Sequence, residues 1–333
     1  MRATRSCAAG ALTLGLMSAS GCSPVDEDAA ELQPRSPGEP DLDSVYQNID
    51  ALVGSCTYVS GVVTVTSTTG QTIIVTKRAV DSVILVNNNP CTTAANPPVA
   101  ADSAKMKRLV IKGSASDESL ILDYLGGLFA PGIANAAFGG TAIDMGGGAD
   151  AVTVQATSSA DTLYIGSDGL AFNADRYKDL TFSGVESLRV VLGNGADVLT
   201  ATNPTPTKGV IGSATIPLTI FGGAGNDVII GGAAVDTIWG GPGNDTLSGG
   251  ASNDTLYGEE GADIMHGTAA ADGDDTLDCG NESPSNTSLD MVSYEKRTRV
   301  ISATLGSPGS AGESGELDSI NANCEGITGG SAN

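Results

Sequence analysis

The sequence predicts an all-β protein whose chain forms a solenoid of short strands and tight turns, and three observations lead to this. Residues 222–266 repeat a nine-residue unit five times in tandem. The 333 residues include 45 glycines, while aromatic residues make up only 4%, a composition that suits a thin solenoid core. Runs of β-branched residues, separated by Gly, Asn and Pro, precede the repeats. We therefore expect mostly β-structure, with little helix after the N-terminal segment.

The N-terminus has the form of a secretory signal. Arg2 and Arg5 precede an apolar stretch, 8–17, that is too short to span a membrane permanently. Small residues then lead to Cys22 in the order Ala-Ser-Gly-Cys, which resembles the lipobox of bacterial lipoproteins. The resemblance implies a signal peptide at 1–21 and a lipid on Cys22. Because Ser23 follows, it also implies the outer membrane or cell surface; plain cleavage, giving an extracellular protein, is the alternative.

Residues 22–44 are acidic and rich in proline, and we expect a disordered tether to the lipid anchor. Strands are predicted after it at 62–65, 72–75, 83–86, 109–111 and 120–122.

Faint copies of the later repeat also occur in this first half. Asp150, Asp161 and Asp197 each follow a turn of small residues and precede an apolar residue two positions later, and Asp117 does so more weakly. We interpret 45–220 as an irregular, degenerate solenoid, with a separate β-sandwich over 45–145 as the alternative.

The regular repeat carries glycine at position 1, aspartate at position 6 and an apolar residue at position 8. The units begin at Gly222, Gly231, Gly240, Gly249 and Gly258. The aspartates are Asp227, Asp236, Asp245, Asp254 and Asp263.

Two nine-residue units make one coil with two strands and two turns, so residues eighteen apart stack. Asp227, Asp245 and Asp263 then form one column of carboxylates, and Asp236 and Asp254 form a second. Stacked carboxylates repel one another, and a hard divalent cation with oxygen ligands would relieve that repulsion.

The unit resembles the repeats-in-toxin (RTX) nonapeptide G-G-x-G-x-D-x-U-x. The resemblance implies a right-handed parallel β-roll, regular over 222–282 within a domain at 221–282, with calcium ions between successive turns. It implies ligands from the position-6 aspartates, from the position-1 glycines and from Asn226 and Asn244. The next ligand is Asp272 if the period is strict, or Asp275 if three residues are inserted; both remain open.

Four cysteines remain once Cys7 leaves with the signal and Cys22 is acylated: Cys56, Cys91, Cys279 and Cys324. In an exported protein an even number favours two disulfides. Three pairings are possible, and we favour Cys56–Cys91 and Cys279–Cys324 because each pair lies within one segment.

Residues 283–333 are expected to form a β-rich cap or a linker to a missing repeat array. Strands are predicted at 290–294 and 300–305, and 329–333 copy the first five positions of a repeat.

Charge and motifs argue against several functional classes. The net charge of −23 argues against nucleic acid as a partner. His266 is the single histidine, and neither H-E-x-x-H nor G-x-S-x-G occurs, so we expect no enzyme activity. His266 is expected to face solvent beside Ser248. Trp239 and Tyr257, eighteen apart, are expected to stack on an outer face, where they stiffen the sheet or contact a glycan or protein partner.

The sequence thus favours a calcium-binding solenoid lipoprotein of the bacterial envelope with a structural or adhesive role. The alternatives are a hydrolase with an unrecognised site in 45–220, and a truncated fragment of a larger RTX toxin or adhesin.

Overall fold

The computed structural model describes residue 39 and residues 55–330, except 69, 79–82, 93–106, 126–139, 173–177, 205–208, 269–271, 281–288 and 314–315. The predicted signal segment, Cys22 and nearly all of the tether lie outside these described residues. Within the described part of the chain, no helix is long and apolar enough to cross a membrane.

Two sheets of thirteen strands each make up the described structure. In spatial order, sheet 1 contains β1 (Ser55–Val59), β2 (Val62–Thr66), β6 (Arg108–Ser114), β8 (Thr141–Gly146), β12 (Leu180–Ser183), β11 (Gly169–Phe172), β10 (Thr162–Gly166), β14 (Val198–Thr200), β16 (Val228–Ile230), β18 (Thr246–Ser248), β20 (Ile264–His266), β22 (Met291–Ser293) and β26 (Gly326–Thr328).

Sheet 2 lies opposite. In spatial order it contains β23 (Ile301–Ser302), β24 (Ser307–Glu313), β25 (Asp318–Ile320), β21 (Thr276–Asp278), β19 (Thr255–Tyr257), β17 (Thr237–Trp239), β15 (Leu218–Ala224), β13 (Ser187–Asn194), β9 (Ala151–Gln155), β7 (Ser119–Asp123), β3 (Thr72–Lys77), β4 (Ile84–Val86) and β5 (Asn89–Pro90).

The repeat region alternates between the sheets, so that each coil adds one strand to each. Strand β16 pairs in parallel with β18 through Ile229 and Leu247, and β17 pairs with β19 through Ile238 and Leu256. Each pair of partners is eighteen residues apart, which confirms the predicted stacking and the parallel β-roll.

The apolar residue at position 8 fills the core of the roll. The five members are all at most 1% exposed: Ile229, Ile238, Leu247, Leu256 and Met265. Since successive side chains of a strand point to opposite faces, a three-residue strand presents only this middle residue to the core.

The first half follows the same parallel path. Strands β2, β6 and β8 pair in parallel in sheet 1, and β3, β7 and β9 do so in sheet 2. All five strands predicted there are present, and the alternative of a separate β-sandwich is wrong. The irregularity comes from insertions: β11 pairs antiparallel with β10 and with β12, which adds two strands to sheet 1.

Antiparallel strands and disulfides close the described ends. β1 pairs antiparallel with β2, β4 with β5, and β24 with both β23 and β25. The structure contains Cys56–Cys91 and Cys279–Cys324, the pairing that the sequence favoured.

The segment predicted as one strand at 300–305 holds only the two-residue β23. The longer β24 was not predicted, because a Gly- and Pro-containing run is unusual for a strand outside sheet edges.

An aromatic stack lies on the outer face of sheet 2. The rings of Trp239 and Tyr257 are 5.2 Å apart at an interplanar angle of 12°, as predicted, and Phe221 stacks on Trp239 at 4.6 Å and 11°. Phe221 was missed, although it lies eighteen residues before Trp239. Because both faces of the indole are covered by neighbouring rings, this geometry favours stiffening of the sheet over stacking on a sugar.

The core geometry generates a stability prediction. Leu247→Ala should lower the free energy of unfolding by about 2–5 kcal/mol, because a two-stranded core layer cannot collapse onto the cavity. The matched control is Val235→Ala, since Val235 is 58% exposed and should change stability by less than about 0.5 kcal/mol. Denaturant unfolding at fixed calcium measures both. Equal effects would show that position 8 does not form the core.

Candidate metal centre

The turns that lead from sheet 2 to sheet 1 carry a continuous ladder of carboxylates, which we call the first column. In each coil the backbone N–H of the acidic residue donates to a carboxylate oxygen of the acidic residue in the next coil, at 2.6–2.8 Å. Its members are Asp161, Asp197, Asp227, Asp245, Asp263, Asp290 and Glu325.

The opposite turns carry the second column, which consists of Asp236, Asp254, Asp275 and Asp318, joined by the same hydrogen bond at 2.8–3.0 Å. Asp275 therefore continues the column, and Asp272 does not. The interval from Asp254 is 21 residues, so the alternative with three inserted residues is the right one.

The second column begins at Asp236. Above it, the backbone N–H of Leu218 donates to Asp236 Oδ1 at 2.8 Å, so an apolar residue occupies the acidic position. A separate short ladder lies further up the same side: Glu118 N–H donates to Asp150, and Asp150 N–H donates to Glu186. The weak repeat copy at Asp117 was misplaced by one residue.

The first column extends further than the strict period suggests. Asp227 was expected to be its first member, because no aspartate lies eighteen residues earlier. Asp197, 30 residues earlier, instead donates its N–H to Asp227 Oδ1. The intervening coil holds an insertion in the opposite turn, and such an insertion changes the spacing without changing the register of the turn. The Gly193-Asn194-Gly195 signal before Asp197 was the available clue.

Asn226 and Asn244 lie on the exposed side of the turns, next to the first column. The side-chain oxygen of Asn226 accepts from Asn244 N–H, and that of Asn244 accepts from Ala262 N–H, both at 3.0 Å. Asn253, which the sequence analysis passed over, does the same for Asp274 N–H. These amides join successive turns, and the ligand role that the resemblance implied for Asn226 and Asn244 stays a prediction.

The position-1 glycines make room for the aspartate of the same unit. A Cβ atom built on Gly222, Gly231, Gly240, Gly249 or Gly258 would lie within 3.0 Å of the Oδ2 atom of Asp227, Asp236, Asp245, Asp254 or Asp263, respectively. Glycine is therefore needed so that each carboxylate can fold back over its own turn.

Most glycines at positions 2 and 4 adopt positive φ, as in Gly241 (105°) and Gly243 (153°), although Gly232 does not. Two residues other than glycine at these positions adopt it as well: Ser252 at 84° and Glu259 at 79°. These two turns carry backbone strain that their neighbours lack.

The second oxygen of several column aspartates has no hydrogen-bond partner although it is buried. This holds for Oδ2 of Asp197, Asp227, Asp245 and Asp254, and also for Oδ2 of Asp150 in the separate short ladder. A buried polar atom without a partner is costly. A row of oxygens with free lone pairs beside turn carbonyls is a donor set that suits a hard cation such as calcium. No three His, Cys, Asp or Glu side chains of the described residues converge on one point, so backbone carbonyls would have to complete each coordination shell.

Burial also shifts the acidity of the columns. It raises the pKa of Asp245 and of Asp254 to about 8, although backbone hydrogen bonds oppose this shift, and the charges of neighbouring column carboxylates raise both further. Burial raises the pKa of Asp227 and of Asp275 to about 7. Without a cation the columns therefore bind protons near neutral pH.

A family model described as RTX calcium-binding nonapeptide repeat (4 copies) matches residues 219–247 and 239–277. Residues 219–277 are therefore a segment of RTX-type calcium-binding repeats. The matched segments contain the five regular units and the turns of both columns between Asp227 and Asp275. The comparison with curated proteins finds no match, and neither does the comparison with solved structures.

His266 lies outside both columns of the RTX roll, on the outer face of sheet 1 beside Ser293. It was expected to face solvent, but it is half-buried and its Nδ1 atom has no hydrogen-bond partner. Burial lowers its pKa, and the charge of Lys296 adds to this. Ser248, predicted as its exposed neighbour, is buried.

The shifted pKa values predict opposite pH trends without and with calcium. The folded pKa of Asp245 and Asp254 is about 8, against an ordinary value of 3.8. Between those limits the folded state binds more protons, so stability falls as pH rises. In EDTA the melting temperature should therefore fall between about pH 5 and about pH 8. Calcium must displace these protons, so the gain from calcium should grow over the same range.

Scanning calorimetry at about pH 5 and about pH 8, with calcium and with EDTA, measures the melting temperature in each condition and so tests both pH trends. Asp254→Asn should reduce the pH dependence of the melting temperature in EDTA. This variant therefore distinguishes titration of the column aspartates from titration of the other acidic groups of the protein. A metal-free melting temperature that rises toward pH 8 would contradict the prediction.

Proposed function

We propose that this RTX-type protein is a calcium-stabilised solenoid lipoprotein of the bacterial envelope, with a structural or adhesive role at the surface. The observation that supports calcium binding is a set of buried Oδ2 atoms without partners, those of Asp197, Asp227 and Asp245 in the first column and of Asp254 in the second. A structure completed by protein groups alone would give these oxygens donors. Calcium ions would supply the missing interaction and neutralise the stacked charges.

The ions would lie between successive turns, held by the aspartates of both. The pairs are Asp227/Asp245, Asp245/Asp263 and Asp236/Asp254, to which the structure adds Asp254/Asp275 as a candidate. Carbonyl oxygens of the glycine turns would complete each site. Extracellular calcium modules work at about 10⁻⁴–10⁻³ M, so a chain of this kind would become rigid only after export.

The envelope location is supported by two features of the chain. The N-terminal signal ends in the lipobox-like sequence at Cys22. The two disulfides of the described structure suit an oxidising compartment outside the cytoplasm. A lipid at Cys22 with an acidic tether would hold the solenoid away from the membrane surface, where an elongated scaffold could serve as a spacer or an adhesive module.

A matched pair of aspartates in the second column tests the shared sites. Asp254 lies between Asp236 and Asp275, whereas Asp236 has Leu218 above it. Asp254→Asn should therefore weaken two ions, and Asp236→Asn only one. Calorimetric titration should show the larger loss of bound calcium for Asp254→Asn, with a larger fall in melting temperature at millimolar calcium.

Asp144→Asn controls for the change in net charge, because Asp144 is exposed and lies in neither column. It should leave calcium binding unchanged. Equal losses for Asp236→Asn and Asp254→Asn would mean that ions are not shared between successive turns.

The lipid anchor has its own test. The full chain expressed in a bacterial host should partition into the detergent phase, and Cys22→Ser should move it to the aqueous phase or stop its processing. Cys56→Ser serves as the control, since it also removes a cysteine but leaves the signal intact. Equal partitioning of the wild type and Cys22→Ser would indicate a secreted protein without a lipid.

A further inference from the structure

The C-terminal part of the solenoid contains a fully buried arginine that faces acidic turn residues. Arg297 has 0% exposure. Its Nη2 atom forms an ion pair with Asp272 Oδ1 and another with Glu316 Oε1, the latter at 2.9 Å. Asp272 N–H also donates to Glu316 Oε1 at 3.0 Å. One guanidinium therefore bridges two acidic residues that come from successive coils.

Asp272 shares a backbone hydrogen bond with the position-6 aspartate Asp236, although it is not a member of the second column. Its unit begins at Gly267, and Thr268 N–H donates to Asp272 Oδ2 at 2.6 Å. In a regular unit, Gly232 N–H donates to Asp236 Oδ2 at the same distance. Asp272 Oδ2 therefore accepts the same hydrogen bond as Asp236 Oδ2, from the backbone N–H of the residue that follows the position-1 glycine.

The group beside the position-1 glycine differs, however. In the five regular units a Cβ on that glycine would meet an aspartate Oδ2 atom, whereas at Gly267 it would meet the Tyr294 ring and, at 3.4 Å, Arg297 Nη2. The guanidinium reaches the place in this turn where the regular turns hold carboxylate oxygens and, in four of the five, a backbone carbonyl oxygen.

A second protein donor satisfies the last member of the second column. The hydroxyl of Tyr294 donates to Asp318 Oδ2 at 2.7 Å, whereas Oδ2 of Asp254 has no partner. The Arg297 guanidinium lies 5.8 Å from the centroid of the Tyr294 ring. One short segment, 294–297, therefore supplies a cation and a hydroxyl to acidic groups of two coils.

We propose that Arg297 takes the place of a calcium ion in the turn at Gly267, so that the C-terminal coils close without metal. An arginine side chain keeps its charge at every pH at which proteins are stable, and its planar donors can bridge two carboxylates. The coils that contain β22, β25 and β26 then form a folded template at zero calcium, against which the calcium-dependent turns can order. The statement that Arg297 takes the place of a calcium ion rests on the proposed function. The statement that the C-terminal coils close without metal does not.

The test is hydrogen exchange on the full chain with intact disulfides, in EDTA and in millimolar calcium. In EDTA, wild-type amides of 291–294 and 318–320 should be protected while those of 228–265 exchange faster. Arg297→Gln should make the C-terminal amides exchange roughly tenfold faster or more in EDTA. Calcium should restore their protection, because Asp272 and Glu316 are then free to bind it, and the variant should bind one more ion than the wild type.

Arg297→Lys keeps the charge and should keep most of the protection in EDTA. Arg189→Gln is the matched control, because Arg189 is exposed on sheet 2 and its loss should change nothing. The proposal is overturned if Arg297→Gln exchanges like the wild type in EDTA, if calcium fails to restore its protection, or if Arg297→Lys behaves like Arg297→Gln.

Failure of the proposed function gives a different result. Amides of 228–265 in the wild type would then respond equally to EDTA and to calcium. The comparison of the wild type, Arg297→Gln and Arg297→Lys in EDTA would still decide whether the charge of Arg297 closes the C-terminal coils.

Discussion

Each turn of the roll places a carboxylate beside that of the next coil, and the backbone holds it there. The N–H of Asp227 donates to Asp245 Oδ1, and the N–H of Asp245 donates to Asp263 Oδ1. One oxygen of each aspartate is thus committed to coil stacking. The other is directed over its own turn, where only glycine leaves room. The side chains cannot separate to relieve their repulsion without breaking the ladder that joins the coils. The hydrogen bonds of the fold therefore keep the carboxylates together, so that either a cation or bound protons must offset their charge.

Near both ends of the described solenoid, the coils are joined by interactions other than the carboxylate columns. Cys56–Cys91 joins the antiparallel strands at one end, and Cys279–Cys324 joins two coils near the other. The side-chain amides of Asn321 and Asn323 donate to Asp278 beside the second bridge. Within the described residues, no further coil covers the last carboxylates on one side. Covalent bonds and protein donors stabilise these coils where shared ions would lack a second set of ligands, and the antiparallel β24 covers the sheet edge.

The regular period made most of the repeat region predictable, and insertions limited the rest. A strict nine-residue pattern determines which residues face the core and which aspartates stack, so Leu247 and Asp245 could be placed from sequence. Nothing in the pattern gives the length of an insertion, because a turn can grow outward while both strands keep their register. For this reason Asp275 could not be separated from Asp272, and Asp197 was not linked to Asp227. A search for repeats could not identify Arg297, since its partners Asp272 and Glu316 are 25 and 19 residues away in the sequence.

The balance between hydrophobic burial and metal binding changes along the solenoid. Strand β13 has eight residues and buries four apolar side chains, Leu188, Val190, Val191 and Leu192. Strand β17 has three residues and buries one, Ile238. Burial of apolar surface stabilises in proportion to area, so the coils before Asp227 have a larger source of stability that needs no ligand. The short-stranded coils lack it, and in them the carboxylate columns are most regular. The first half of the described solenoid is therefore stabilised mainly by its apolar core, whereas the proposed calcium ions would contribute most in the roll.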